Sequence, residues 1–174
     1  FQDFFRIELM LRESVGLGEL ELIEDDMAIT DAVRDARATD VLEVVPGGLT
    51  GSVGRGYTKG TDLSGGQWQT VSLARCVMRR HPLLQILDEP AAALDAAAEH
   101  ALFERFGSSA EVAARERGGA TVLISHRFST VLMADTIAVL AGGQLRERGS
   151  HRQLMLNDSL YAELFRLQSR AYHY

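Results

Sequence analysis

The chain has 174 residues, 46% of them hydrophobic, and a formal charge of −6, which is enough for one domain with a real core. That acidic balance argues against a partner held by clustered Lys and Arg on phosphates, so no nucleic acid is expected. No apolar run approaches the roughly 20 residues that a membrane helix needs.

The chain opens on Phe1 rather than Met, with no signal or transit pattern after it, and is therefore expected to be a piece of a longer polypeptide. From Asp25 to Val45, Ala28, Ile29, Ala32, Val33 and Ala36, then Val41, Leu42 and Val45, recur at helical spacing behind acidic starts, which predicts two short helices. Pro46 to Gly60 is rich in glycine and reads as loop. A helix capped by the Ser64 hydroxyl should follow, running through Val71, Leu73, Ala74, Val77 and Met78 to Arg80. It carries the single cysteine, Cys76, expected as a buried, inert thiol in a reducing compartment.

His81-Pro82 ends that helix, and Leu83 to Leu87 forms a short apolar run suited to a buried parallel strand, closed by Asp88, Glu89 and Pro90. A helix over about Ala96 to Phe106, a strand over Ala120 to Ser125, a short helix near Ser129 to Ala134 and a strand over Thr136 to Leu140 come next. Strand and helix alternate, so the class is α/β. Gly142-Gly143 has the composition of a two-residue hairpin turn, giving the last parallel strand an antiparallel neighbour. Ser159 to Arg170 should close the chain as an amphipathic helix with Leu160, Leu164, Phe165 and Leu167 inward.

Three stretches carry chemistry. In open α/β sheets ligands sit beyond the carboxyl ends of the strands, where Asp88 could hold Mg²⁺ and Glu89 could orient and deprotonate a water attacking phosphorus. One strand later, Ile124-Ser125-His126 again puts a polar residue past a strand edge. Third, Ser64, Gly65, Gly66 and Gln67 open a helix whose unpaired N–H groups and dipole favour a phosphate. Taken singly, each has a plainer reading: the acids cap the following helix, the histidine is merely solvated, and the glycines form a cap.

Together these stretches closely resemble the nucleotide-binding domain of ATP-binding cassette (ABC) transporters, over essentially the whole chain. LSGGQ at Leu63 to Gln67 looks like its signature motif and LLQILDEP at Leu83 to Pro90 like its Walker B strand. AALD at Ala92 to Asp95 resembles its D-loop, LISHR at Leu123 to Arg127 its switch-histidine loop, and FQDF at Phe1 to Phe4 its Q-loop. The stretch from His126 to His151, followed by YAELFRLQ, looks most like the exporter branch.

The resemblance implies a P-loop NTPase-like core, a mostly parallel sheet flanked by helices, over about residues 81–174, and a helical subdomain over about 5–80. It implies ATP and Mg²⁺ as ligands, with Asp88 and Gln2 at the metal and Glu89, His126 and Gln2 in catalysis. Ser64, Gly65, Gly66 and Gln67 would face the nucleotide of a second ATPase domain, and Asp95 would couple the two sites. A transmembrane domain would be the other partner, placing the chain at the cytoplasmic face of a membrane.

The family's own phosphate loop, GxxxxGK[ST], does not occur in this sequence, whose Lys59 precedes Gly60 without a neighbouring P-loop Ser or Thr. In the family that loop lies upstream of the Q-loop, so the expectation is the C-terminal two-thirds or more of an ATPase domain. Gln85 is polar in a strand that the family keeps apolar, Thr70 stands where a basic residue is frequent, and Ala91 and Ala92 replace hydroxyl residues. A non-catalytic remnant and a soluble ABC-type ATPase are the alternative readings.

Overall fold

A computed structural model describes residues 5–79, 82–90, 107 and 118–171. Gln2, Asp95, the D-loop and the helix expected over Ala96 to Phe106 lie outside the described residues, apart from the single position 107 just beyond that helix. The described residues fall into two compact units, one within Phe1–Gln85 and Pro90–Thr121, the other within Ile86–Glu89 and Val122–Tyr174.

In the first unit, helices α1 (Leu11–Gly16), α2 (Asp26–Asp35), α3 (Thr39–Val44) and α4 (Gly65–Met78) surround one apolar centre. Helix α2 starts where it does because the Asp25 carboxylate accepts from the backbone N–H of Met27 and of Ala28, both at 3.0 Å. Its Ala28, Ile29, Ala32 and Val33 turn inward, and with Leu11, Val15, Trp68, Val71 and Ala74 they form the core. Both expected helices between Asp25 and Val45 are present, and α4 ends at Met78, two residues before the expected Arg80.

Half-buried Arg75 joins α4 to α1: its Nε donates to the Ser14 carbonyl at 2.6 Å and its Nη2 to the Ser14 hydroxyl at 3.3 Å. Burial lowers its pKa from the usual guanidinium value. The turn after α1 runs so close to α4 that a Cβ on Gly18 would stand 1.9 Å from the Arg75 carbonyl oxygen, which leaves glycine as the residue that fits.

Strand β1 (Leu84–Asp88) pairs with β2 (Ala120–Ile124). Ala120 N–H donates to the Leu83 carbonyl at 2.9 Å and Glu89 N–H to the Ile124 carbonyl at 3.0 Å, so the strands run parallel, as expected. The expectation of a fully buried strand is corrected. Gln85 and Leu87 are buried, but Leu84 and Ile86 are 58% and 60% exposed. Strand side chains alternate, so a pair covered on one side buries every second residue. Gln85 escapes the penalty of an unpartnered buried amide because its Nε2 lies 3.2 Å from Cys76 Sγ on α4. Cys76 is half-buried, and burial raises its pKa.

The second unit holds the short helix α5 (Phe128–Val131), strands β3 (Ile137–Ala141) and β4 (Gln144–Gly149), and helices α6 (His151–Asn157) and α7 (Leu160–Ala171). Gly142 and Gly143, at φ of 60° and 73°, make the two-residue turn between β3 and β4. The antiparallel neighbour of β3 is therefore present; among the described residues β3 pairs with β4 alone, in a sheet separate from β1–β2. Helix α6, which the sequence reading did not single out, begins on a Ser150–Gln153 capping box.

The inward face of α7 also differs from expectation. Leu164 and Leu167 are 43% and 56% exposed, whereas Tyr161 and Ala162 are buried. Aromatic packing sets this rotation: the Phe128 ring sits edge-on to Tyr161 and Phe165, at centroid distances of 5.5 and 5.1 Å.

Candidate functional site

Ser64, Gly65, Gly66 and Gln67 form the start of α4 in the first unit. Ser64 Oγ accepts from Gln67 N–H at 3.2 Å and Gln67 Oε1 accepts from Ser64 N–H at 3.0 Å, a reciprocal capping box. The serine hydroxyl proton is not consumed by that cap, since the oxygen there acts as acceptor. A Cβ built on Gly65 meets nothing within 4 Å, so there is open space beside this helix start. Gln67 Nε2 donates to Asp40 Oδ2 at 3.0 Å, a contact between α4 and α3 that sequence reasoning missed.

In the second unit β1 delivers Asp88 as its last, exposed residue and Glu89 immediately after. Glu89 has a φ of 45°, the left-handed region that a residue with a Cβ seldom adopts, while its N–H still bonds to β2. The turn aims the side chain along the strand edge: Glu89 Oε1 lies 2.7 Å from His126 Nδ1. An ionised carboxylate only accepts, so Nδ1 is the donor and Nε2 is the ring nitrogen left for a second partner. His126 and Glu89 side chains are 67% and 41% exposed, so a ligand can reach both. Gln2 and Asp95 are outside the described residues.

The loop bearing His126 is shaped locally by the Ser125 hydroxyl, which accepts from Arg127 N–H at 3.0 Å. It is also held by Gln168 of α7, whose Nε2 donates to the His126 carbonyl at 2.9 Å. Asp40 lies outside every stretch singled out above, and Gln168 closes YAELFRLQ, which stands out for its exporter resemblance and not for any chemistry. Gln168 could have been suspected from its place seven residues after Tyr161, on one helical face with Phe165.

Residues 6–92 match the family model described as ABC transporter. The chain belongs to the ABC transporter family. Among relatives of this ABC chain is the ATP-dependent lipid A-core flippase of Alcanivorax borkumensis, 38% identical over 157 residues, which are 90% of this chain and 25% of the relative. A nisin transport ATP-binding protein of Lactococcus lactis is 36% identical over 166 residues, 95% of this chain and 26% of the relative. A bacterial Atm1-family ABC exporter solved with ATP bound superimposes with a TM-score of 0.75 at 31% identity, over 96% of this chain and 27% of that one. The chain thus spans about a quarter of the length of the curated relatives it matches. Its fold is that of an ABC ATPase domain, the exporter-type resemblance is supported, and ATP is the nucleotide of the family, whose members hydrolyse it.

Proposed function

We propose that this chain is part of the ATPase domain of an ABC exporter and couples ATP hydrolysis to transport. The observation that carries the reading is the 2.7 Å contact between Glu89 and His126, which joins two motif residues at the end of β1 and just beyond β2. Glu89 takes a proton from water as the water oxygen bonds to the γ-phosphorus; the bond to the β-phosphate oxygen breaks and ADP leaves with that electron pair. His126 contacts the γ-phosphate through Nε2.

Asp88 fits a Mg²⁺ ligand, being an exposed carboxylate at the C-terminal end of a strand. Among the described residues no three His, Cys, Asp or Glu side chains gather into a metal cage. A Mg²⁺ ion is commonly held by one or two carboxylates together with phosphates and water. The chemistry such an ion supplies is neutralisation of charge on the β- and γ-phosphate oxygens. Gln2 would join Asp88 there, and Asp95 would cross to a second ATPase domain.

Ser64, Gly65, Gly66 and Gln67 serve the nucleotide of that second domain, with the Ser64 hydroxyl and the α4 backbone amides facing its γ-phosphate. The other partner would be a transmembrane domain, a reading supported by relatives named as a flippase and as a transport ATP-binding protein, and this chain would then sit at the cytoplasmic face of the membrane. No helix among the described residues is long and apolar enough to cross a membrane. Helices α1 to α4 would form the helical subdomain, and the strands from β1 onward part of the catalytic core.

The test is ATP turnover by the full polypeptide that carries this chain, reconstituted in lipid vesicles. Turnover should require Mg²⁺ and fall by roughly a hundredfold or more in Glu89→Gln. Undiminished turnover in that variant would remove Glu89 from the role of base.

A further inference from the structure

The histidine loop is gripped from the far end of the chain. Gln168 Nε2 donates to the His126 carbonyl at 2.9 Å, and its Oε1 accepts from Phe128 N–H at a longer 3.4 Å. One side-chain amide thus spans the backbone on both sides of Arg127, 40 and 42 positions away in sequence. The same helix holds the Phe128 ring between Tyr161 and Phe165. Tyr161, Phe165 and Gln168 follow one another at helical i, i+4 and i+7 spacing, so ring and backbone of the loop are seized by one face of α7.

The clamp uses only the His126 main chain and leaves its imidazole exposed and bonded to Glu89. We propose that Gln168 is a positioning residue for the hydrolytic reaction, fixing the backbone from which His126 reaches the γ-phosphate. This rests on the reading of His126 given above. A Gln is suited to the task because its amide offers a donor and an acceptor on one rigid plane; Glu lacks the donor and Met lacks both. Once α7 has docked, the loop does not need to be ordered anew at each turnover.

The experiment compares Gln168→Met and Gln168→Glu with wild type in the full polypeptide, alone and combined with His126→Ala. Both single variants should lower kcat by roughly ten- to a hundredfold while KM for ATP moves less than about threefold. Neither should slow the His126→Ala variant further, because the group being positioned is gone. Amide hydrogen exchange at Phe128 should rise by about tenfold in Gln168→Met, the accelerated opening expected from one lost hydrogen bond.

Full kcat in both Gln168 variants beside an impaired His126→Ala would overturn the clamp alone. So would equal losses with and without the histidine, or unchanged exchange at Phe128. A His126→Ala polypeptide with full turnover would instead sink the role of the histidine, and the clamp's part in catalysis with it.

Discussion

Glu89 and His126 lie 37 positions apart, yet Oε1 of one is 2.7 Å from Nδ1 of the other, and the carboxylate gets there from a left-handed backbone. A Cβ in that region is strained by about 1 kcal/mol. Glu89→Gly should therefore gain roughly that much stability in denaturant titration while losing turnover. Glu89→Gln, which keeps the Cβ, should show no such gain. In the full polypeptide of the proposed exporter it should instead retain ATP in a closed dimer of ATPase domains, measurable as nucleotide carried through gel filtration. A Gly variant less stable than wild type would mean that the side chain contributes more than the backbone loses.

The capping box of Ser64 and Gln67 gives a second expectation. Ser64→Ala removes the acceptor for Gln67 N–H and should cost about 1 kcal/mol, roughly 2–4 °C in Tm for a chain of this size. Asp40→Asn keeps an oxygen near Gln67 Nε2 and should cost less. Thermal melts of the three proteins decide the order, and an Asp40→Asn loss as large as that of Ser64→Ala would show that the carboxylate charge itself stabilises this corner.

Stability should fall on the alkaline side, with a sign set by burial. Cys76 has its pKa raised above the ordinary thiol value of 9.0 by burial. Below 9.0 both states hold the proton and nothing changes; as the pH rises past it, the unfolded chain ionises first and gains on the folded one until the folded thiol ionises too. Tyr161, raised above 10.0 by burial, adds to the loss at higher pH. Cys76→Ala should therefore lose less stability than wild type between about pH 8 and about pH 10 in parallel urea titrations. Parallel declines would exclude the thiol as the cause.

Residues 1–174 as a purified chain should bind Mg-ATP poorly, because the sequence contains no GxxxxGK[ST] loop to surround the phosphates. Isothermal titration should give a Kd of about 1 mM or weaker, near −4 kcal/mol. Micromolar binding would mean that another segment, with the helix start at Ser64 as the first place to look, cradles the nucleotide.

The features that the sequence by itself determined are those whose cause lies within a few residues. Ser64 caps α4 because Gln67 stands three positions on, Asp25 starts α2 through the amides of Met27 and Ala28, and Gly142-Gly143 turns the chain because both residues tolerate positive φ. The order of the motif stretches likewise sufficed for family and fold. Tertiary structure alone decided which faces meet. Periodicity marks Leu164 and Leu167 as apolar as readily as Tyr161 and Phe165, and only the Phe128 ring selects among them. The covered side of β1, the partner of Gln85 and the contacts of Asp40 with Gln67, Glu89 with His126 and His126 with Gln168 are of the same kind. They span 9 to 42 positions, and over such separations one-dimensional spacing carries no record of how helices rotate or strands are covered; packing and hydrogen-bond satisfaction in three dimensions set both.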